Sequence, residues 1–159
     1  MINMEITLKE ITADNFYEVC LLTTNENGIP TIDEEFICCN TMSLAESKYY
    51  PLWNPQAIYN DQTLIGFILS GSYLKDNGNF WILRYMIDHQ YQGNGFGKKG
   101  LTTFIEEVKR SNNIERIYLG LDPDNIRAIS LYTSIGFEFT GERKDGEDVY
   151  ILELIKSVS

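Results

Sequence analysis

At 159 residues, with 43% hydrophobic and 23% charged side chains, the chain has the size and composition of one folded domain with material for a real core. Its net charge of −10 argues against nucleic acid as a partner, because phosphate contacts need a basic face. No apolar run approaches the roughly 20 residues that span a bilayer. The opening "MINMEITLKE" shows no basic-then-apolar leader pattern, so a cytoplasmic protein without membrane contact is the expectation.

The elements follow in chain order over a single domain, 1–159. "EITLKEI" alternates and predicts a strand that ends near "TADN", a helix-cap signal; "DNFYEVCLL" then carries apolar residues at helical spacing. "TNENGIP" breaks that helix, and a second, weakly periodic helix is expected from Asp33 to about Ser47. "QAIYNDQTLIGFILSGSYL" reads as a hairpin around an Asn-Asp turn, and "NGNFWILRYMID" as the next strand. From Gly95 to about Ser111 a helix places Leu101, Phe104, Ile105 and Val108 on one face. "ERIYLGL" is a strand, "DPDNIRAISLYTSIGF" a helix closed by Gly136, and "FEFTGERKDGEDVYILEL" a final hairpin around Asp145-Gly146. The result is a mixed α/β domain with one parallel crossover in its middle.

Charge and special residues narrow the chemistry. Residues 1–60 hold nine acids (Glu5, Glu10, Asp14, Glu18, Glu26, Asp33, Glu34, Glu35, Glu46) against Lys9 and Lys48. That excess serves either as a solvated surface or as a groove that attracts cations. Cys20, Cys38 and Cys39 are odd in number and lack C-x-x-C spacing, which fits free thiols. His89 is the only histidine, so no His-based zinc site and no metal is expected.

The stretch "QYQGNGFGKK", residues 90–99, turns from strand into helix through three glycines and two lysines, the way a main chain holds phosphate. A dinucleotide or methyl-donor loop is one reading, with Asp122 as the acid ending the next strand. Such folds open with this loop, whereas here it begins past residue 90 with little chain left for more βα units. A second reading is a mere turn. A third comes from resemblance: Gln92-Gly93-Asn94-Gly95-Phe96-Gly97 fits Q/R-x-x-G-x-G/A, the acetyl-CoA signature of the GNAT N-acetyltransferases. "NIRAISLYTSIGFEFTGE" resembles that family's later N-x-x-A-x-x-L-Y-x-x-x-G-F block, and the element order is similar over nearly the whole chain. More narrowly, "SKYYPLW", "LIGFILSG", "LRYMID", "YQGNGFGKKGL" and "RIYLGL" resemble the bacterial spermine/spermidine acetyltransferase branch.

The resemblance implies an α/β (α+β) GNAT fold, a mixed but mostly antiparallel sheet with helices on both faces. It implies acetyl-CoA as co-substrate, with its pyrophosphate cradled by Gln92, Gly93, Asn94, Gly95, Phe96, Gly97 and Lys98. The strand "RYMID" is expected to splay from "YLGL", the pantetheine arm pairing with the main chain of Met86 and Ile87. Asn125 is expected to contact that arm and Tyr132 to act as general acid toward the departing thiolate. The acceptor is expected to be a small cationic amine, best a polyamine, acetylated directly in a ternary complex. A protein N-terminus, a lysine, an aminoglycoside, or a non-catalytic acyl-CoA sensor are the alternatives. For the general base the candidates are Asp33, Glu34, Glu35, Glu46, Asp88 and His89, with Glu34 and Glu35 preferred. Tyr49, Tyr50, Trp53, Tyr73, Trp81 and Tyr85 offer faces for a cation, core packing being the alternative for the last two. Leu83 departs from the polyamine-acetylating relatives, where an acid is expected. A homodimer is implied by resemblance alone.

Overall fold

The computed structural model describes residues 3–74, 78–111 and 113–154. Seven strands form one sheet in the order β1-β2-β3-β4-β5-β7-β6. They are β1 (Ile6–Glu10), β2 (Trp53–Asn60), β3 (Thr63–Ser72), β4 (Phe80–Ile87), β5 (Arg116–Leu121), β6 (Glu138–Lys144) and β7 (Glu147–Glu153). All neighbours are antiparallel except β4 and β5. The helices are α1 (Phe16–Leu21), α2 (Asn40–Ser47), α3 (Phe96–Arg110) and α4 (Ile126–Ile135). Among the described residues no helix is long and apolar enough to cross a membrane.

Sheet alternation sends side chains into two cores, one on each face. Ile58, Ile68, Ile82, Ile87, Ile117, Leu119 and Leu121 face α3 and α4, and meet Leu101, Phe104, Ile105 and Val108, the apolar stripe expected from periodicity. On the other face Ala57, Phe67, Leu69 and Met86 pack against Val19 of α1 and Leu44 of α2. Helices therefore cover both faces, as the fold requires.

The Asp145-Gly146 turn closes the last hairpin with φ of 52° and 84°, the left-handed pair of a two-residue turn that matches strand twist. In the first hairpin Asn60 pairs with Thr63, so Asp61 and Gln62 form the loop and Asp61 takes φ 53°.

One boundary is corrected. The helix expected from Asp33 begins only at Asn40. Residues 33–38 instead fold into a tight return: Asp33 and Cys38 form an isolated antiparallel bridge, and Glu34 N–H donates to Ile37 O at 2.8 Å. Cys39 N–H then reaches back to Ile32 O at 3.0 Å, so the main chain there is already paired before a helix can start.

Strand β4 carries an irregularity that shapes the site. Leu69 pairs with Arg84 but the next residue, Ser70, pairs with Ile82, leaving Leu83 as the extra residue of a bulge.

Candidate active site

The site begins as a gap in the sheet. β4 and β5 pair only at Phe80↔Ile117 and Trp81↔Tyr118; beyond that, Ile82–Ile87 and Leu119–Leu121 run on without pairing. A sheet opened at its centre leaves main-chain groups for another partner. Which groups these are follows from the β3 ladder. Asp88 N–H donates to Ile65 O at 2.8 Å, and alternate residues of an antiparallel strand turn the same way. Met86 therefore directs its main-chain groups at Phe67 of β3, while Tyr85 and Ile87 turn theirs into the gap. All three residues are in register with β3, and the alternation alone separates the gap-facing main chain of Tyr85 and Ile87 from that of Met86.

The glycine loop closes one end of the gap. Asp88, buried, accepts from Gln90 N–H at 3.0 Å and caps a single 3₁₀ turn, His89–Tyr91. Gly93 and Gly95 follow at φ 79° and 86°, a conformation costly for other residues, and a Cβ on Gly93 would meet nothing within 4 Å. Gly95 is the N-cap of α3 and supplies no side chain, so the first-turn N–H groups of a 15-residue helix open toward the loop. Gln92 locks the approach: its Nε2 donates to Ile87 O at 2.9 Å and its Oε1 accepts from Arg127 Nη1 at 3.1 Å. Asn94 folds back onto the carbonyls of Tyr91 and Gln92, Phe96 is buried in the α3 core, and Lys98 and Lys99 are exposed. Exposed positive-φ glycines at an uncapped helix N-terminus with lysines beside them fit a pyrophosphate.

Tyr85 ties β4 to this loop. Its hydroxyl donates to Gly97 O at 2.6 Å, and a Cβ on Gly100 would stand 2.7 Å from the same oxygen. Tyr85 is thus part of the α3 side and does not present its face to an acceptor. Beside it lies Tyr132 of α4, buried, its ring edge-on to Phe137 at 5.5 Å. Burial pushes the Tyr132 phenol far above its ordinary range; burial, then the nearness of Tyr132, pushes Tyr85 up as well. Both remain proton donors at any ordinary pH. Among the described residues nothing accepts from or donates to the Tyr132 hydroxyl. Asn125 caps α4 by accepting from Ala128 N–H at 3.1 Å, which keeps its Nδ2 available for a ligand.

On the opposite face the acidic candidates separate. Glu34 accepts from Thr23 Oγ1 at 2.5 Å, from Thr24 N–H at 2.8 Å and from the Thr24 hydroxyl. Both its oxygens are engaged in clamping the 33–38 return to the end of α1, which removes the reason to prefer it as a base. Glu35 lies exposed on that return. Asp88 is held by Thr23 N–H at 3.0 Å as well as by its own cap. Glu46 stands 3.8 Å from Arg84.

Arg84 was not singled out by sequence, yet it organises this face. Its Nε donates to Cys38 Sγ at 3.1 Å and its Nη1 to Leu83 O at 2.9 Å. Tyr50 stacks on Trp53 at 4.1 Å, with Tyr73 edge-on to both at 6.1 and 5.5 Å. Tyr49 points away, 82% exposed. The ammonium of Lys144 lies 5.9 Å from the Tyr73 ring and 5.5 Å from that of Trp81, which in turn contacts Tyr118 at 5.3 Å. A shallow groove of about 480 Å³ opens between Trp81, Tyr118, Lys144 and Val149. Glu147, also unforeseen, lies over Gly120 of β5, where a Cβ would collide with its Oε2.

A mixed sheet split beside a glycine-lined helix N-terminus defines a class of acyl-CoA-dependent transferases, and the comparisons with known proteins agree. The profile of the Acetyltransferase (GNAT) family matches residues 13–137, so the chain belongs to the GNAT acetyltransferases. It is 35% identical to a Bacillus subtilis spermine/spermidine N(1)-acetyltransferase across 157 residues, 95% of this chain and 100% of the relative. Among solved structures it is similar to an acetyltransferase from Thermus thermophilus, with a TM-score of 0.72 and 16% identity over 97% of this chain and 100% of that one. It is also similar to a Bacillus subtilis acetyltransferase in complex with CoA, with a TM-score of 0.66 and 18% identity over 96% and 100%. The protein is an N-acetyltransferase, and acetyl-CoA is its co-substrate.

Proposed function

We propose that this enzyme acetylates a primary amine of a polyamine, spermine or spermidine, by direct attack within a ternary complex. The observation that carries the acceptor is the 35% identity, along 95% of the chain, with a relative named for that activity. The chemistry of the site agrees. The acceptor side is walled by Tyr50, Trp53 and Tyr73 with Glu46 and Asp145 close by, and aromatic faces beside carboxylates suit an extended cation.

Acetyl-CoA, when bound, supplies the thioester carbonyl. The α3 N-terminus, Gly93, Gly95, Gly97 and Lys98 hold the pyrophosphate, with Gln92 fixing the loop through Ile87 O and Arg127. Main-chain groups of Tyr85 and Ile87 face the arm, and one N–H in the gap stabilises the oxyanion, a contribution of about 3 kcal/mol in comparable sites. Tyr132 keeps its proton until the thiolate leaves, and Asn125 Nδ2 reaches the arm.

The test is release of free thiol from acetyl-CoA with spermine, spermidine, an N-terminal peptide, a lysine peptide and an aminoglycoside at matched concentration. Polyamines should give the highest kcat/KM. Turnover with another acceptor and none with polyamines would refute the assignment; tight CoA binding with no turnover on any amine would make the protein a sensor.

A further inference from the structure

The proposed acceptor arrives as an ammonium with a pKa of about 10 and must lose a proton before it attacks. Three carboxylates on this side are engaged: Glu34 by Thr23 and Thr24, Asp88 by Thr23 and Gln90, and Glu46 by Arg84 at 3.8 Å. Glu147 is placed differently. Along β5, Ile117, Leu119 and Leu121 are buried against the α3 side, so Gly120 presents to the opposite face, the face of Arg84 and Cys38. Glu147, which opens β7, lays its carboxylate directly on Gly120, where any side chain would displace it. Gly120 is the second residue past the last β4–β5 pair, Trp81↔Tyr118. The carboxylate therefore stands at the mouth of the gap, across from Arg84, and its residue remains exposed to an incoming acceptor. Tyr132 lies in the core of the other face. In the same mouth the Lys144 ammonium already rests against Tyr73 and Trp81, so this surface accommodates an alkylammonium.

We propose that Glu147 is the residue that binds the acceptor ammonium and takes its proton; the assignment rests on the amine-acceptor reading above. An ammonium that becomes an amide loses two protons. The first passes to a Glu147 oxygen, and the freed lone pair forms the N–C bond. As the C–S bond breaks, the thiolate takes the Tyr132 proton, and the second amine proton restores the phenol. Glu147 then releases its proton to solvent, so each turnover yields one amide, one free thiol and one proton. The groups facing Glu147 are Arg84 on β4, Asp122 after β5, Asp145 in the hairpin turn and its cross-strand neighbour Lys144. Desolvation raises the carboxyl above its usual range, Arg84 draws it down, and Asp122 and Asp145 push it up, which suits a base.

The experiment compares wild type, E147Q and the control E106Q in thiol release with spermidine across pH 6 to 10, alongside calorimetric titration with CoA alone. E147Q should lose about 100-fold in kcat/KM and the acid limb of its pH profile, with CoA affinity unchanged; E106Q should match wild type. A wild type that acetylates amines, with an E147Q variant equal to it in rate and pH profile, overturns the role of Glu147 alone. A wild type that acetylates no amine overturns the acceptor reading and this assignment together.

Discussion

Replacing Tyr132 by phenylalanine removes one oxygen and keeps a ring that is 6% exposed and edge-on to Phe137. No hydrogen bond among the described residues is lost with it. Its removal leaves no other donor or acceptor unpaired, so the variant should melt no lower than wild type. Its activity should fall by about 100-fold or more in kcat, which is about 2.7 kcal/mol of transition-state stabilisation. Tyr85→Phe is the internal comparison, because its hydroxyl does have a partner, Gly97 O at 2.6 Å. Losing that bond should cost about 1 kcal/mol, a fall of about 2–4 °C in Tm, with weaker CoA binding and kcat retained. Linkage gives a second readout. Burial raises the folded-state pKa of Tyr132 above that of the unfolded chain. The phenol then contributes stability in full below the unfolded value of about 10, lost as pH rises through the folded value. Y132F should therefore be less sensitive to alkali than wild type. Thermal melts from pH 7 to 11, with stopped-assay kcat, decide the matter: a variant that turns over normally but melts early would show Tyr132 to be a packing residue.

Three further outcomes are expected. Gly95→Ala forces a side chain into φ 86° with its Cβ 3.3 Å from Met4 Cε, costing about 1 kcal/mol or more and weakening CoA at least tenfold by calorimetry; an unchanged Kd would remove the loop from the cradle. Glu34→Ala breaks the clamp on Thr23 and Thr24 and should lower stability by about 2 kcal/mol in denaturant titration while kcat stays within a few-fold; a loss of kcat at unchanged stability would return the base to Glu34. Arg84→Met removes the charge that lowers the Glu147 carboxyl, so the acid limb of kcat/KM should move to higher pH, and no movement would separate the two residues.

The candidate donor half of the site was legible because its requirements are local. A main chain that must approach phosphate needs glycines in consecutive turn positions just ahead of a helix, and Gly93 and Gly95 do take positive φ there. Helical spacing likewise places Asn125 at the cap and Tyr132 in the core. The proposed acceptor half is assembled from residues far apart in sequence. Arg84 meets Cys38 across 46 positions, and Glu147 reaches Gly120 only because the hairpin turn fixes the register of β7. Glu34 looked available as one of several adjacent acids; its hydrogen bonds to Thr23 and Thr24 are a tertiary fact. The late start of α2 has the same origin, since the 33–38 return satisfies its main chain before any helix can form.

One irregularity links both halves. A bulge increases the twist of its strand, and the bulge in β4 sits at Leu83, two residues past Trp81, the last residue that pairs with β5. The added twist turns the rest of β4 away from β5 at the place where pairing stops, which opens the gap. It also changes which side chains reach the acceptor face. Leu83 packs into the α1–α2 cluster, and Arg84 next to it reaches Cys38 and Glu46 on that same face. A strand that presents an apolar residue and a cation at its bulge has no acid of its own to offer an ammonium. In the proposed acceptor site that acid comes from β7, one strand beyond β5, where the missing side chain of Gly120 leaves room for the Glu147 carboxylate. Leu83 at the bulge and Gly120 in β5 thus act together in the proposal: the first keeps β4 without an acid on this face, and the second makes room for the one on β7.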